Sequence, residues 1–313
     1  MIRMNNYMKF GISPTLLFPA AFEDELEHLT AIETCCRFPE YEVFETFLPQ
    51  NDALRKREIQ KMKEYNKILN YNTPIPFQLD GEFNPASDQP IYRANALELA
   101  KQHINYAAEA DSKLMVITGC ADKGPEKRPE ILKRFKEYFL KVAAYAKQFD
   151  ITIVLEPMER EAFKKLVLGP TQECADFIEE MQNEGAANAK LMLDSAHLPL
   201  MQETFTQALN SSRKVGLAHI HLGDAVKDPK SAYYGHTHPP LGIHEGCFDV
   251  EELTEQLIQL FEFGYLRSNP GSNRPVISLE MRPYPGVSPE TSARFAYEKV
   301  ESAFSAAAEK FCQ

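Results

Sequence analysis

The sequence predicts an α/β protein folded as a single (β/α)8 barrel over residues 1–313, and three observations predict it. Short apolar runs alternate with long amphipathic stretches along the chain; eight such pairs can be read; and no composition break or low-complexity linker divides them. An open, doubly wound sheet is the alternative. It normally carries a glycine-rich phosphate turn after its first strand, and FGISPTLLF offers none.

The strand-like runs fall at 9–13, 42–48, 75–80, 113–118, 151–156, 190–194, 216–222 and 275–280. Between them lie helical periods such as EDELEHLTAIETC, ALRKREIQKMKEYNKIL, YRANALELAKQHINYAAEA and PEILKRFKEYFLKVAAYAKQF. Four more follow: TQECADFIEEMQ, LMQETFTQALN, VEELTEQLIQLFEF and ETSARFAYEKVESAFSAAAEKF. Helix punctuation agrees with these ranges. Asp249 with Glu252 three residues on is a capping-box pattern, Ser288-Pro289 sets proline at a first helical position, and Gly264 stands where the seventh helix should stop.

Four of the later strands end on a side chain able to bind a metal. ITIVLE closes on Glu156, KLMLD on Asp194, LAHIH on His221 and VISLE on Glu280. Active sites of such barrels lie at the carboxyl ends of the strands, so strands five to eight would deliver all four groups to one half of the mouth. Three carboxylates and one imidazole suit a single divalent cation with positions left for a substrate. Each residue has a plainer explanation when taken alone: a salt bridge from Glu156 to Arg160, a helix cap for Asp194, a pair between Glu280 and Arg282. That a separate explanation should hold at every one of these strand ends is less economical than one shared site, because an unpaired buried charge costs several kcal/mol.

Around these four, His197 follows Asp194 by three residues and is expected to face the substrate. His219 points the same way as His221 but one step deeper, and is expected to be an interior hydrogen-bonded group. Arg160, Lys227 and Arg282 could bring positive charge to the mouth. Six of the eight histidines lie between 197 and 244, and the long segment from Gly223 to Cys247 holds His236, His238 and His244. A loop this long in a compact domain tends to be functional. His238 is expected to contact substrate, with a second metal on His236 and His238, or plain solvation, as the other options.

Bulk properties narrow the partners. A net charge of -11 argues against a nucleic-acid or anionic-membrane surface. No apolar run is long enough to cross a bilayer, and the first residues lack a secretory pattern. The six cysteines show no C-x-x-C spacing, so the reducing cytoplasm is the expected compartment and Cys35-Cys36 are expected to be thiols. A small carbohydrate is the expected partner, and homo-oligomer formation is left open.

At LEPMER, LMLDSAH, HIHLGD and ISLEM the chain resembles the xylose isomerase-like TIM-barrel superfamily, in particular sugar isomerases and epimerases of the ketose 3-epimerase kind. The resemblance implies that Glu156, Asp194, His221 and Glu280 bind one divalent ion: manganese first, with cobalt, magnesium or zinc as alternatives. It implies that His197 contacts the sugar, and that Glu156 and Glu280 act as acid and base in reactions passing through a cis-enediolate. It covers strands five to eight closely and the first half only in architecture. Where those epimerases carry an arginine six residues after the metal histidine, this chain has Lys227. Two rival readings remain: an inosose-type dehydratase on the same site, and a metal phosphodiesterase of the endonuclease IV type. The second would need further histidines from strands two and three, and Glu45 stands there instead.

Overall fold

The computed structural model of the chain describes residues 3–74, 81–267, 271 and 273–311. Eight parallel strands close into a barrel in chain order: β1 (Lys9–Ile12), β2 (Val43–Thr46), β3 (Ile68–Asn72), β4 (Leu114–Thr118), β5 (Thr152–Glu156), β6 (Ala189–Asp194), β7 (Leu217–Leu222) and β8 (Val276–Leu279). Around them run α1 (Glu25–Cys35), α2 (Asp52–Glu64), α3 (Pro90–Glu109), α4 (Arg128–Lys147), α5 (Thr171–Asn183), α6 (Phe205–Ser212), α7 (Val250–Phe263) and α8 (Pro289–Phe311). A short helical turn, Pro14–Leu17, follows β1. No helix among the described residues is long and apolar enough to cross a membrane.

Seven strands fall where the apolar runs place them, and the third does not. The run at 75–80 lies outside the described residues, and β3 occupies Ile68–Asn72 instead. Read by spacing alone, the helical period of α2 runs on through Lys67 and Ile68. The chain breaks it at Asn66, which takes a left-handed conformation (φ 54°), a geometry asparagine tolerates better than most residues.

The helix caps form as predicted. Asp249 and Glu252 close a reciprocal capping box, Ser288 accepts from the Thr291 amide, and Gly264 ends α7 at φ 87°. A second box, Thr204 with Gln207, starts α6. The main core packs strand residues such as Phe44, Ile117, Leu155 and Ile220 against helix residues such as Phe139, Ile178, Leu257 and Phe304. Cys35, Cys36, Cys120, Cys174 and Cys247 are free thiols; Cys312 lies outside the described residues.

Candidate metal centre

One irregularity of the sheet decides which side chains meet. Between β6 and β7 the pairing slips: Leu191 faces Leu217, but Met192 faces His219, so Ala218 is the extra residue of a bulge. The slip brings His221 opposite Asp194. An unslipped ladder would set Ile220 there. Bulges near active sites commonly re-aim side chains in this way. On the far side, His221 pairs with Ser278, and the Glu280 amide continues the ladder by donating to the Leu222 carbonyl at 2.9 Å.

The four groups at the strand ends are all buried: Glu156 at 3 %, Asp194 at 1 %, His221 at 0 % and Glu280 at 5 % exposure. His221 Nδ1 lies 3.2 Å from Glu280 Oε1. Asp194, His221 and Glu280 each bring a donor atom within 4.8 Å of the others, and Glu156, Asp194 and His197 do the same. Asp194 uses its two oxygens differently. Oδ1 accepts from the Ala196 amide at 2.7 Å, the turn-capping role open to any aspartate, while Oδ2 is buried without a hydrogen bond.

Oδ2 is not alone in this. Glu156 Oε1, His197 Nε2, both nitrogens of His221 and His238 Nδ1 are likewise buried and unbonded. Buried polar atoms are nearly always paired, so this concentration of unpaired oxygen and nitrogen atoms is itself informative. The donor set, three carboxylates with imidazole nitrogen, is the chemistry of a hard or borderline divalent ion, and the residues therefore fit one.

Electrostatics agree. Burial, with the charges of Asp194, Glu156 and Glu45 added, holds the Glu280 carboxyl well above the usual carboxylate range. Burial and Asp194 likewise push Glu156 up, against the opposing pull of His197. Buried negative groups crowded together with too little counter-charge behave in this way. Burial lowers His221, and it lowers His238 to about 4. His197 behaves in the opposite sense. Burial alone would lower it, but Glu159 outweighs that and raises it to about 9.

Glu159 escapes a reading by strand parity because it lies in the turn after β5. Its Oε2 is 2.7 Å from His197 Nδ1, and it is fully buried. This contact turns Nε2 of His197 toward Glu156 Oε1 (3.7 Å) and Asp194 Oδ2 (3.8 Å). Asn72 also escapes, for it ends the strand that spacing misplaces; its amide donates to Glu280 Oε1 at 3.1 Å. Lys164, in the loop after β5, is a further cation whose charge acts on Glu159, Glu156 and Glu280.

The histidine-rich loop folds over the same mouth. Asp224 Oδ1 accepts from the amides of Ala225, Cys247 and Phe248 at 2.7–3.0 Å, tying both ends of the segment together. His238 takes a left-handed backbone (φ 43°), a conformation that for a histidine is found chiefly where the surroundings enforce it. Its ring reaches Asp194 Oδ2 at 3.8 Å and Glu280 Oε2 at 3.7 Å. His236 Nδ1 is 3.2 Å from His238 Nε2, and its ring stacks on His197 at 5.1 Å between centroids. His197, His236 and His238 thus form a third group of close nitrogen donors. His244 is exposed.

The three arginine and lysine candidates lie elsewhere or outside. Arg160 pairs with Glu173 and donates to the Val167 carbonyl at 2.7 Å, and it forms no pair with Glu156. Lys227 is exposed and lines a separate cavity of about 650 Å³ beside α6 and α7, with Glu203, Glu251 and Glu255. The Arg282 side chain is exposed, and its backbone amide donates to the His238 carbonyl at 2.7 Å.

Solved structures share this architecture. A D-tagatose 3-epimerase-like protein superposes with a TM-score of 0.73 at 19% identity, over 97% of this chain and 99% of that one. D-psicose 3-epimerase from Clostridium cellulolyticum H10 gives 0.67 at 17% identity, over 98% and 100%. An AP endonuclease of family 2 from Brucella melitensis gives 0.65 at 16% identity, over 93% and 99%. A sequence search of curated proteins finds no match. The family model described as xylose isomerase-like TIM barrel matches residues 35–267, and with the closed barrel this makes the chain a member of the xylose isomerase-like TIM-barrel family.

Proposed function

We propose that this protein is a divalent-cation-dependent isomerase or epimerase of a sugar or sugar derivative. Glu156, Asp194, His221 and Glu280 would hold the ion. The observation that carries the reading is the set of donor groups at the ends of β5 to β8: buried, unbonded atoms of Glu156, Asp194 and His221, with a Glu280 oxygen within 4.8 Å of the Asp194 and His221 donors. Its likeness in fold to ketose 3-epimerases supports the substrate class. When bound, the ion would act as a Lewis acid on a carbonyl oxygen and its neighbouring hydroxyl, and manganese suits the mixed oxygen and nitrogen donor set.

The chain's own residues supply the proton chemistry. Glu156 and Glu280 reach the mouth from β5 and β8, and each can remove or return a proton at a carbon next to the carbonyl. Return to the same carbon is epimerisation; return to the neighbour is isomerisation. His197, held by Glu159, would donate from Nε2 to a substrate oxygen. His238 and Lys164 are the other nearby donors. Arg160 is engaged by Glu173, and Lys227 faces another cavity. Arg282, exposed next to the His238 loop, would act only on the outer end of a substrate.

The test is a metal-loaded screen of ketoses, aldoses and inososes in heavy water, with products identified by NMR. Deuterium at one carbon of an epimerised or isomerised product supports the reading; an active sugar that takes up no label defeats it. Loss of water from the substrate would mark the dehydratase variant. The group His197, His236 and His238 favours one further reading, a second cation in the same mouth as in a phosphodiesterase. Elemental analysis separates them: one ion per chain fits the isomerase, and several fit the hydrolytic site.

A further inference from the structure

Directly beneath the candidate centre, the barrel interior carries a polar layer where branched apolar side chains usually pack. Glu45 of β2 is its centre, at 0 % exposure. Its Oε1 accepts from Ser278 Oγ of β8 at 2.7 Å and from Asn70 Nδ2 of β3 at 3.0 Å. His219 Nε2 of β7 lies 3.0 Å from the same oxygen, off the direction of a good hydrogen bond. The second oxygen, Oε2, has no hydrogen bond and faces His221 Nε2 at 3.6 Å. A fully buried carboxylate is costly unless charges and hydrogen bonds nearby offset it, and Oε2 has only the imidazole of His221 on its side.

Gly11 shows that space is kept for this arrangement. It stands opposite Ser278 in the ladder, and a Cβ on it would come within 2.1 Å of Ser278 Oγ. Any side chain there would displace the hydroxyl that fixes Glu45. The layer is therefore assembled from five strands, and its free oxygen is left to one imidazole.

That imidazole has two ends. Nδ1 of His221 faces Glu280 Oε1 at 3.2 Å, on the side of the mouth, and Nε2 faces Glu45. We infer that Glu45 is a positioning residue for His221: its unbonded oxygen, 3.6 Å from Nε2, favours the tautomer that carries the proton on that nitrogen, and so leaves Nδ1 as the lone-pair side of the ring, toward Glu280 and the mouth. A metal-binding histidine almost always gives its other N–H to a carboxylate, carbonyl or water, and removal of that partner typically costs 10–100-fold in affinity. The inference rests on the reading of His221 as a ligand, but the tautomer it predicts does not require an ion to be present.

The test uses the full chain with Glu45→Gln and, as a milder change, Ser278→Ala. Two quantities are measured: Mn²⁺ affinity, from the electron paramagnetic resonance signal of free Mn²⁺, and the ¹⁵N shifts of the His221 ring in metal-free protein. The wild type should show the Nε2–H tautomer. Each folded variant should shift it toward a mixture, and Mn²⁺ affinity should fall by about tenfold or more. A merely structural carboxylate would leave the tautomer and affinity of folded variants unchanged, and that result overturns the inference. If Glu45→Gln does not fold, Ser278→Ala decides on the same two readouts. If wild type binds no Mn²⁺, the functional reading falls, and the ring shifts alone decide the role of Glu45.

Discussion

The most consequential side chains are Glu156 and Glu280, because the metal-free centre sets them against Asp194 with too little compensating charge. Replacing Glu280 with glutamine keeps the shape and removes a carboxyl whose ionisation the metal-free centre opposes. The metal-free variant should therefore melt no lower than wild type, while Mn²⁺ should no longer raise its melting temperature. Turnover should drop by about 10²–10⁴-fold, the usual worth of a positioned acid or base. Calorimetry with and without metal, together with product assays, checks all three outcomes; retained turnover would remove Glu280 from the chemistry. Glu159→Gln should act differently. It deletes the charge that keeps His197 protonated to about pH 9, so NMR titration should find the His197 pKa lower by about one unit or more. These residues were unequally legible in the sequence. Strand parity points straight at Glu156, Asp194, His221 and Glu280, because the end of an apolar run is visible in one dimension. Glu159 and Lys164 lie in a turn and a loop with no period, and a contact from Lys227 into a neighbouring cavity leaves no trace in spacing.

Among the elements, β7 shows most clearly what a pattern reading misses. The His-x-His alternation is plain, yet which histidine meets Asp194 depends on the slip at Ala218, and no residue type announces it. The third strand shows the complementary failure. Its residues follow α2 with continuous polarity, and only the left-handed Asn66 separates them, so Asn72 and its bond to Glu280 stayed hidden. Caps are easier, since their chemistry is local. The box at Thr204 and Gln207 starts α6, which leads into β7, and Thr204→Ala should cost about 1 kcal/mol in urea unfolding. An unchanged midpoint would mean that α6 is held by packing alone.

At the scale of the whole molecule, the barrel was legible because eight alternations leave few ways to bury every apolar face, and closure removes sheet edges. What cannot be read is how the buried polar groups pair. Away from the mouth, His103 of α3 lies 2.6 Å from the Tyr71 hydroxyl, and burial lowers it to about 4. A base with a depressed folded pKa favours folding above its unfolded value near 6.5, and that contribution is lost as pH falls through about 4. The shift corresponds to about 3 kcal/mol. His103→Gln should therefore be less stable than wild type at pH 8, with the gap narrowing toward pH 4 in parallel melting curves; a constant gap would refute the assignment. Metal should stabilise the whole fold by mass action, by about 2.7 kcal/mol at a hundred times its Kd, and a chelator should reverse this. The central claim is that Glu156, Asp194, His221 and Glu280 hold one ion. Anomalous diffraction from Mn²⁺-loaded crystals tests it most directly: the account predicts a peak within bonding distance of all four side chains, and a peak bound by other residues, or none, would contradict it.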